Sequence, residues 1–287
     1  MRSMALLAGI WMLGIVAPAW GEEKLSDEKV QMIFTGMVAD NMKAMLAITG
    51  DPSRREEAQA AFKKACQHAT EVFVKLNPNN ANSEISTLLA QKNPGTFDVS
   101  PDLAKILSIT QDVAKHLKEP MAKNIKVDLK NSKVTLKSTD VLINVGPLLK
   151  GFVADSIMND LTKAGWKDTF LQFEGIYIAR GLDFNGPWKV PVVDATTSTA
   201  HHAFFYKAYD TAAATVTFNH DGMIDTPSAD LKSVTVFSEE GACKAQGLAA
   251  ATYVLGLDHA RKLLKTAGIP RAVLIDARGQ FFQIPEK

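Results

Sequence analysis

The spacing of apolar residues along the chain changes several times, and each change marks an element. Ala58, Phe62, Ala65, Ala69, Val72, Phe73 and Leu76 recur at three- and four-residue intervals, which predicts a helix with one buried face. Asp51-Pro52 supplies its start, a cap followed by a proline in the first turn. Asn77-Pro78-Asn79-Asn80, a cluster of turn formers, ends it. Just upstream the reading divides. Val30, Ile33, Phe34, Met37, Val38, Met42, Met45 and Leu46 fit a helical stripe, while residues 42–49 alone also fit a strand. After a loop holding Ser83-Glu84-Ile85-Ser86, a second capped helix opens at Ser100-Pro101-Asp102, with Leu103, Ile106, Leu107, Val113, Ala114 and Leu117 facing inward.

From Asn124 the period becomes two. Ile125, Val127 and Leu129, then Val134 and Leu136 beyond Asn131-Ser132, read as a hairpin. Val141–Val145 reads as a strand running through Gly146-Pro147 into a helix from about Leu149 to Ala164, closed by Gly165. The rest is strand-rich: 169–173, 175–180, 188–193, 203–209, 213–218 and 233–237, then helices near 243–255 and 258–267 and closing strands at 272–276 and 281–284. Helices and strands mix without regular alternation, which predicts an α+β fold. No repeat or long linker divides the chain, so a single domain is expected.

The N-terminus adds a destination. Arg2 precedes the uncharged apolar run Met4–Ala17, and Ala19-Trp20-Gly21 offers small residues for cleavage. That order reads as a secretory signal peptide over residues 1–21, leaving 22–287 as the mature chain in the periplasm or outside the cell. The run is short for a membrane span, and no later stretch is long and apolar enough to be one. The whole chain has 32 basic and 31 acidic residues, so loss of Arg2 leaves the two equal. That balance gives no reason to expect nucleic acid as a partner. Cys66 and Cys243 are the only cysteines; in an oxidising compartment they can pair, or each can be a small buried hydrophobe.

The segment richest in chemistry is Ile143-Asn144-Val145-Gly146-Pro147-Leu148-Leu149-Lys150-Gly151-Phe152-Val153-Ala154-Asp155. Glycine at a strand-to-helix junction lets backbone approach a ligand, the helix start presents N–H groups to an anion, and Lys150 adds a point charge. The adjacent histidines His201-His202, with His220, Asp221 and Asp225, lack zinc-type spacing. Phe204, Phe205, Tyr206 and Tyr209, like Met37, Met42 and Met45, read most simply as core. A serine-hydrolase elbow is absent.

Residues 143–155 resemble the L-D-L-G-G-I-A-K-G-Y-A-V-D segment of the ApbE family. Ser83-Glu84-Ile85-Ser86, the stretch from Leu171 to Val190, the strand at Ser233-Val234-Thr235-Val236 and the helix from Ala245 to Gly256 resemble further family segments in the same order. The resemblance implies an ApbE-like, T-fold-related arrangement of mixed sheets with packed helices. It implies an FAD:protein FMN transferase, which moves FMN from FAD to a Thr or Ser of an acceptor flavoprotein and releases AMP, with Mg²⁺ at the pyrophosphate. Carried onto this chain, it places flavin-nucleotide contacts at Lys150, Gly151, Phe152, Asp155, Glu174, Gly175 and Asp225. It places metal ligands at the Pro147 carbonyl and at positions 246 and 250, where the family's Asp and Thr are replaced by Gln246 and Ala250. Asn144 and Pro147 are further departures. Three readings stay open: a working transferase, an FAD-binding or accessory protein for redox-protein maturation without transfer, and a scaffold that binds protein partners only.

Overall fold

The computed structural model describes residues 29–39, 41–117, 121–138, 143–195, 201–217 and 230–284. In chain order the elements are β1 (Val30–Val38), β2 (Met42–Gly50), α1 (Arg55–Leu76), α2 (Glu84–Leu89), β3 (Gly95–Asp98), α3 (Pro101–Leu117), α4 (Met121–Asn124), β4 (Ile125–Asp128) and β5 (Lys133–Leu136). They continue with α5 (Gly146–Lys163), β6 (Thr169–Phe173), β7 (Ile176–Arg180), β8 (Trp188–Asp194), β9 (His201–Ala208), β10 (Thr211–Thr217), β11 (Leu231–Ser238), α6 (Ala242–Leu255), α7 (Leu257–Thr266), β12 (Arg271–Asp276) and β13 (Phe281–Ile284).

The helical stripe over 30–46 gives way to two antiparallel strands, with Val30 opposite Gly50 and Val38 opposite Met42. Burial there follows the strand period: Met32, Phe34, Val38, Met42, Ala44, Leu46 and Ile48 are inside. Ala39, at φ 50°, makes the turn that a continuous helix could not contain. Met42 is core as expected, whereas Met37 is 52% exposed on the outer strand. Two other expectations also change. Ser83–Ser86 belongs to the start of the short helix α2, where Ser83 Oγ accepts from Ser86 N at 3.2 Å. The strand expected at 141–145 has its first two residues outside those described, and residues 143–145 run irregularly into α5.

Eight strands form one antiparallel sheet in the order β1-β2-β6-β7-β10-β11-β12-β13. Helices α1, α5 and α6 cover one face and share a continuous apolar core with it. The β8–β9 hairpin covers the other face, where Trp188, Val190 and Val192 meet Tyr177, Ala213 and Phe237. Being covered on both sides, β10 and β11 are buried at nearly every position, so their sequences lack strict alternation. A small sheet, β3-β5-β4, lies beside α3. The two helices that carry the candidate chemistry, α5 and α6, pack directly on each other.

Candidate functional site

Asn144 Oδ1 accepts from Gly146 N at 3.0 Å, an Asx turn that starts α5. Pro147 follows in the first turn, where a missing N–H costs nothing. One turn on, Gly151 faces α6. A Cβ there would lie 2.6 Å from Ala242 O, 2.7 Å from Cys243 Cα and 2.8 Å from Ala242 C, all of them backbone. Glycine is what lets the helices approach so closely. Asp155, a further turn along, accepts from Ala242 N at 2.8 Å and Cys243 N at 2.9 Å through its two oxygens. Helix α6 begins after Gly241, which has no side chain to cap it, so Asp155 supplies the cap from the neighbouring helix. Burial pushes the Asp155 carboxyl above the usual carboxylate range, opposed by those two N–H donors and by the charges of Lys105 and Arg180. Gln246 closes the arrangement, its Oε1 accepting from Gly151 N at 2.6 Å.

Lys150 is only 6% exposed, and its Nζ stands 3.5 Å from Glu174 Oε2. Glu174 and Gly175 are the two-residue turn between β6 and β7, at φ 48° and 77°. This is the left-handed pair that a tight antiparallel hairpin requires. Gly175 O also accepts from Thr215 N at 3.0 Å, tying the turn to β10. Phe152 is buried, with the Lys105 ammonium 6.0 Å from its ring centroid. Lys150 and Glu174 therefore meet at one corner, while Gly151, Asp155 and Gln246 form a clasp between α5 and α6. The clasp is what sequence reasoning missed. Its legible signal was the helix start at Gly241-Ala242 with no capping side chain of its own.

Asp225, His220 and Asp221 lie outside the described residues, as does the side chain of His201. Among the described residues no group of three His, Cys, Asp or Glu side chains could hold a metal ion. The aromatic residues of β9 divide between its two faces. Phe204 and Tyr206 pack against the apolar cluster under the β8–β9 pair, whereas Phe205 is exposed, as is Tyr209 just beyond the strand. Cys66 and Cys243 are buried free thiols.

The sequence profile of the ApbE family matches residues 110–273, more than half of the chain. The chain belongs to the ApbE family. Its fold is also that of solved family structures. Flavin transferase ApbE from Vibrio cholerae superimposes with a TM-score of 0.72 at 14% identity, over 89% of this chain and 96% of the other. The apo flavinyl transferase ApbE of Pseudomonas stutzeri gives 0.72 at 12% identity, over 92% and 98%. The ApbE protein of Thermotoga maritima gives 0.69 at 16%, over 88% and 97%. No curated protein sequence matches the chain.

The metal implied by the family resemblance can be tested against the donors present. Pro147 offers a carbonyl, Ala250 offers no side-chain donor, and the Gln246 oxygen already accepts from Gly151 N at 2.6 Å. Mg²⁺ requires hard oxygen donors in near-octahedral geometry, with carboxylate charge among them. The one carboxylate of the clasp, Asp155, is held by two backbone N–H groups. These residues do not fit a Mg²⁺ ion.

Proposed function

We propose that this ApbE-family chain is a flavin-nucleotide protein that holds FAD beside α5 and the Glu174-Gly175 turn, without metal-dependent transfer of FMN. The observation that carries this reading is the Gln246 amide. At the position where the family resemblance calls for an acidic ligand, a neutral side chain is hydrogen-bonded to the backbone of the facing helix. What remains favours an anionic ligand. The N-terminal end of α5 contributes positive potential to this corner, and Lys150 adds a cation whose charge is partly offset by Glu174 Oε2 at 3.5 Å. Phosphoryl transfer depends on cations that offset charge developing on the phosphates. With neutral side chains at 246 and 250, that stabilisation is lost while binding contacts are kept. The proposed unit is residues 22–287, exported after removal of 1–21.

A second reading is favoured by the likeness to flavin transferases along nearly the full length of both chains. In it the protein transfers FMN from FAD to a Thr or Ser of an acceptor flavoprotein and releases AMP. The two separate in one experiment. Mature protein is incubated with FAD, with Mg²⁺ or with EDTA, in the presence of candidate acceptor flavoproteins. AMP is followed by chromatography and flavin retained on the protein by absorbance. Retained FAD, equal with and without metal and with no AMP, is the expected result. Metal-dependent AMP release would overturn it in favour of the transferase.

A further inference from the structure

The observation with no place in the flavin reading is the outer edge of β1. No described strand pairs with that edge, because β1 ends the eight-stranded sheet and bonds only β2. Its nine residues, VQMIFTGMV, carry no charge and no proline, and Ile33 and Met37 are 47% and 52% exposed. Nothing in the strand itself blunts the edge, so every second residue offers its N–H and C=O to a further strand. Alongside runs a groove of about 480 Å³, walled on one side by β1 and on the other by α1. The α1 wall is a stripe of exposed side chains at four-residue spacing, Arg55, Gln59, Lys63 and Gln67. Gly36 keeps the floor narrow, since a Cβ there would meet Cys66 Sγ at 2.8 Å.

We infer that this edge docks an extended segment of another protein, bearing carboxylates on alternate residues, as a ninth strand. Charge selects that occupant. Among the described residues the groove is lined by Arg55 and Lys63 and by no acidic side chain. A strand laid about 4.8 Å beyond β1 points alternate side chains at the α1 stripe, so acidic residues in that register meet both cations. A second copy of this chain fits worse. Antiparallel pairing of β1 with its own copy sets both α1 helices on the same face and turns the two basic stripes on each other. The inference is independent of flavin binding.

The test uses the mature chain and the blocked peptide Val-Glu-Val-Glu-Val-Glu-Val, with its Val-Lys counterpart and a version N-methylated at alternate residues. Binding is read by calorimetry and by amide exchange of β1. The acidic peptide should slow exchange within Val30–Val38 and bind about tenfold or more tightly than the lysine peptide. N-methylation should abolish binding, because it removes the strand hydrogen bonds. Arg55→Glu combined with Lys63→Glu should reverse the preference, and both sites are exposed, so the fold should be kept. Unchanged exchange of β1, equal binding of the two peptides, or a dimer that protects β1 without peptide would each overturn the proposal.

Discussion

Gly151→Ala tests the clasp between α5 and α6 most directly. The added Cβ would lie 2.6–2.8 Å from three backbone atoms of Ala242 and Cys243, where ordinary carbon contacts are about 3.5–4.0 Å. Because those atoms are backbone, no rotamer change relieves the clash, and the helices must separate. Overpacking of this kind costs about 1–3 kcal/mol. Separation also weakens the Gln246–Gly151 bond, worth about 0.5–1.5 kcal/mol, and the Asp155 cap on α6, worth about 0.5–2 kcal/mol. Against these stands a gain of about 1 kcal/mol from replacing a helical glycine by alanine. The net expectation is a loss of about 2–4 kcal/mol.

Gly247→Ala is the internal control. Its Cβ would meet Leu148 at 3.0 Å and Val113 at 3.2 Å, both through side-chain atoms that can move. Its cost should stay within about 1 kcal/mol after the same helix gain. At about 2 °C per kcal/mol for a chain of this size, Gly151→Ala should lower the Tm by about 4–8 °C and Gly247→Ala by under about 2 °C. Calorimetric melts of both variants decide the matter. Equal Tm changes, or a Gly151→Ala variant as stable as the parent, would refute the close-approach argument.

Asp155→Ala leaves two helix N–H groups without their acceptor and should cost about 2–4 kcal/mol, measured by urea unfolding. Burial raises the Asp155 carboxyl above its ordinary 3.8, so the folded chain keeps that proton to higher pH than the unfolded chain. Its contribution is present at low pH and lost as pH rises through the folded value. The stability of Asp155→Asn relative to the parent should therefore improve as pH rises from about 4 through the folded value, and a constant difference would contradict this. Burial pushes the Cys66 thiol up to about 11 and the Cys243 thiol well above its usual value. Both thiols should be slow towards a thiol reagent near neutral pH and become reactive on unfolding. Gln246→Asp combined with Ala250→Thr restores the donor types of the family resemblance. Mg²⁺ with FAD should then raise the Tm of this variant and not that of the parent.

Most of the fold was legible because its elements announce themselves locally. Ser100-Pro101 opens α3 and Gly165 closes α5 at φ 89°, while the strand expected from 175 begins one residue later because Gly175 belongs to the turn between β6 and β7. The failures share a cause. Val30 to Leu46 was open to a helical reading because apolar residues on both faces of an edge hairpin also satisfy a three-to-four spacing. Deciding between the two needed Ala39 in a left-handed turn, a conformation that an alanine does not advertise. The candidate site was legible as a segment and illegible as a contact. Nothing local in Gly151, Asp155 or Gln246 says that they meet across two helices about 90 residues apart.

That distance explains how this chain can diverge where the family resemblance places metal ligands and keep the family fold. Gly151 and Asp155 answer a packing problem: they bring α5 onto the uncapped start of α6 and supply its missing acceptors. A side chain at 246 need only present an oxygen to the Gly151 N–H to serve that contact, and an uncharged amide does so at 2.6 Å. Charge at 246 is a separate requirement, set by a cation. The packing requirement is met here in full, and the electrostatic one is not. Stability and metal chemistry therefore separate at this one residue, which is why Gln246→Asp should change metal dependence far more than it changes the fold.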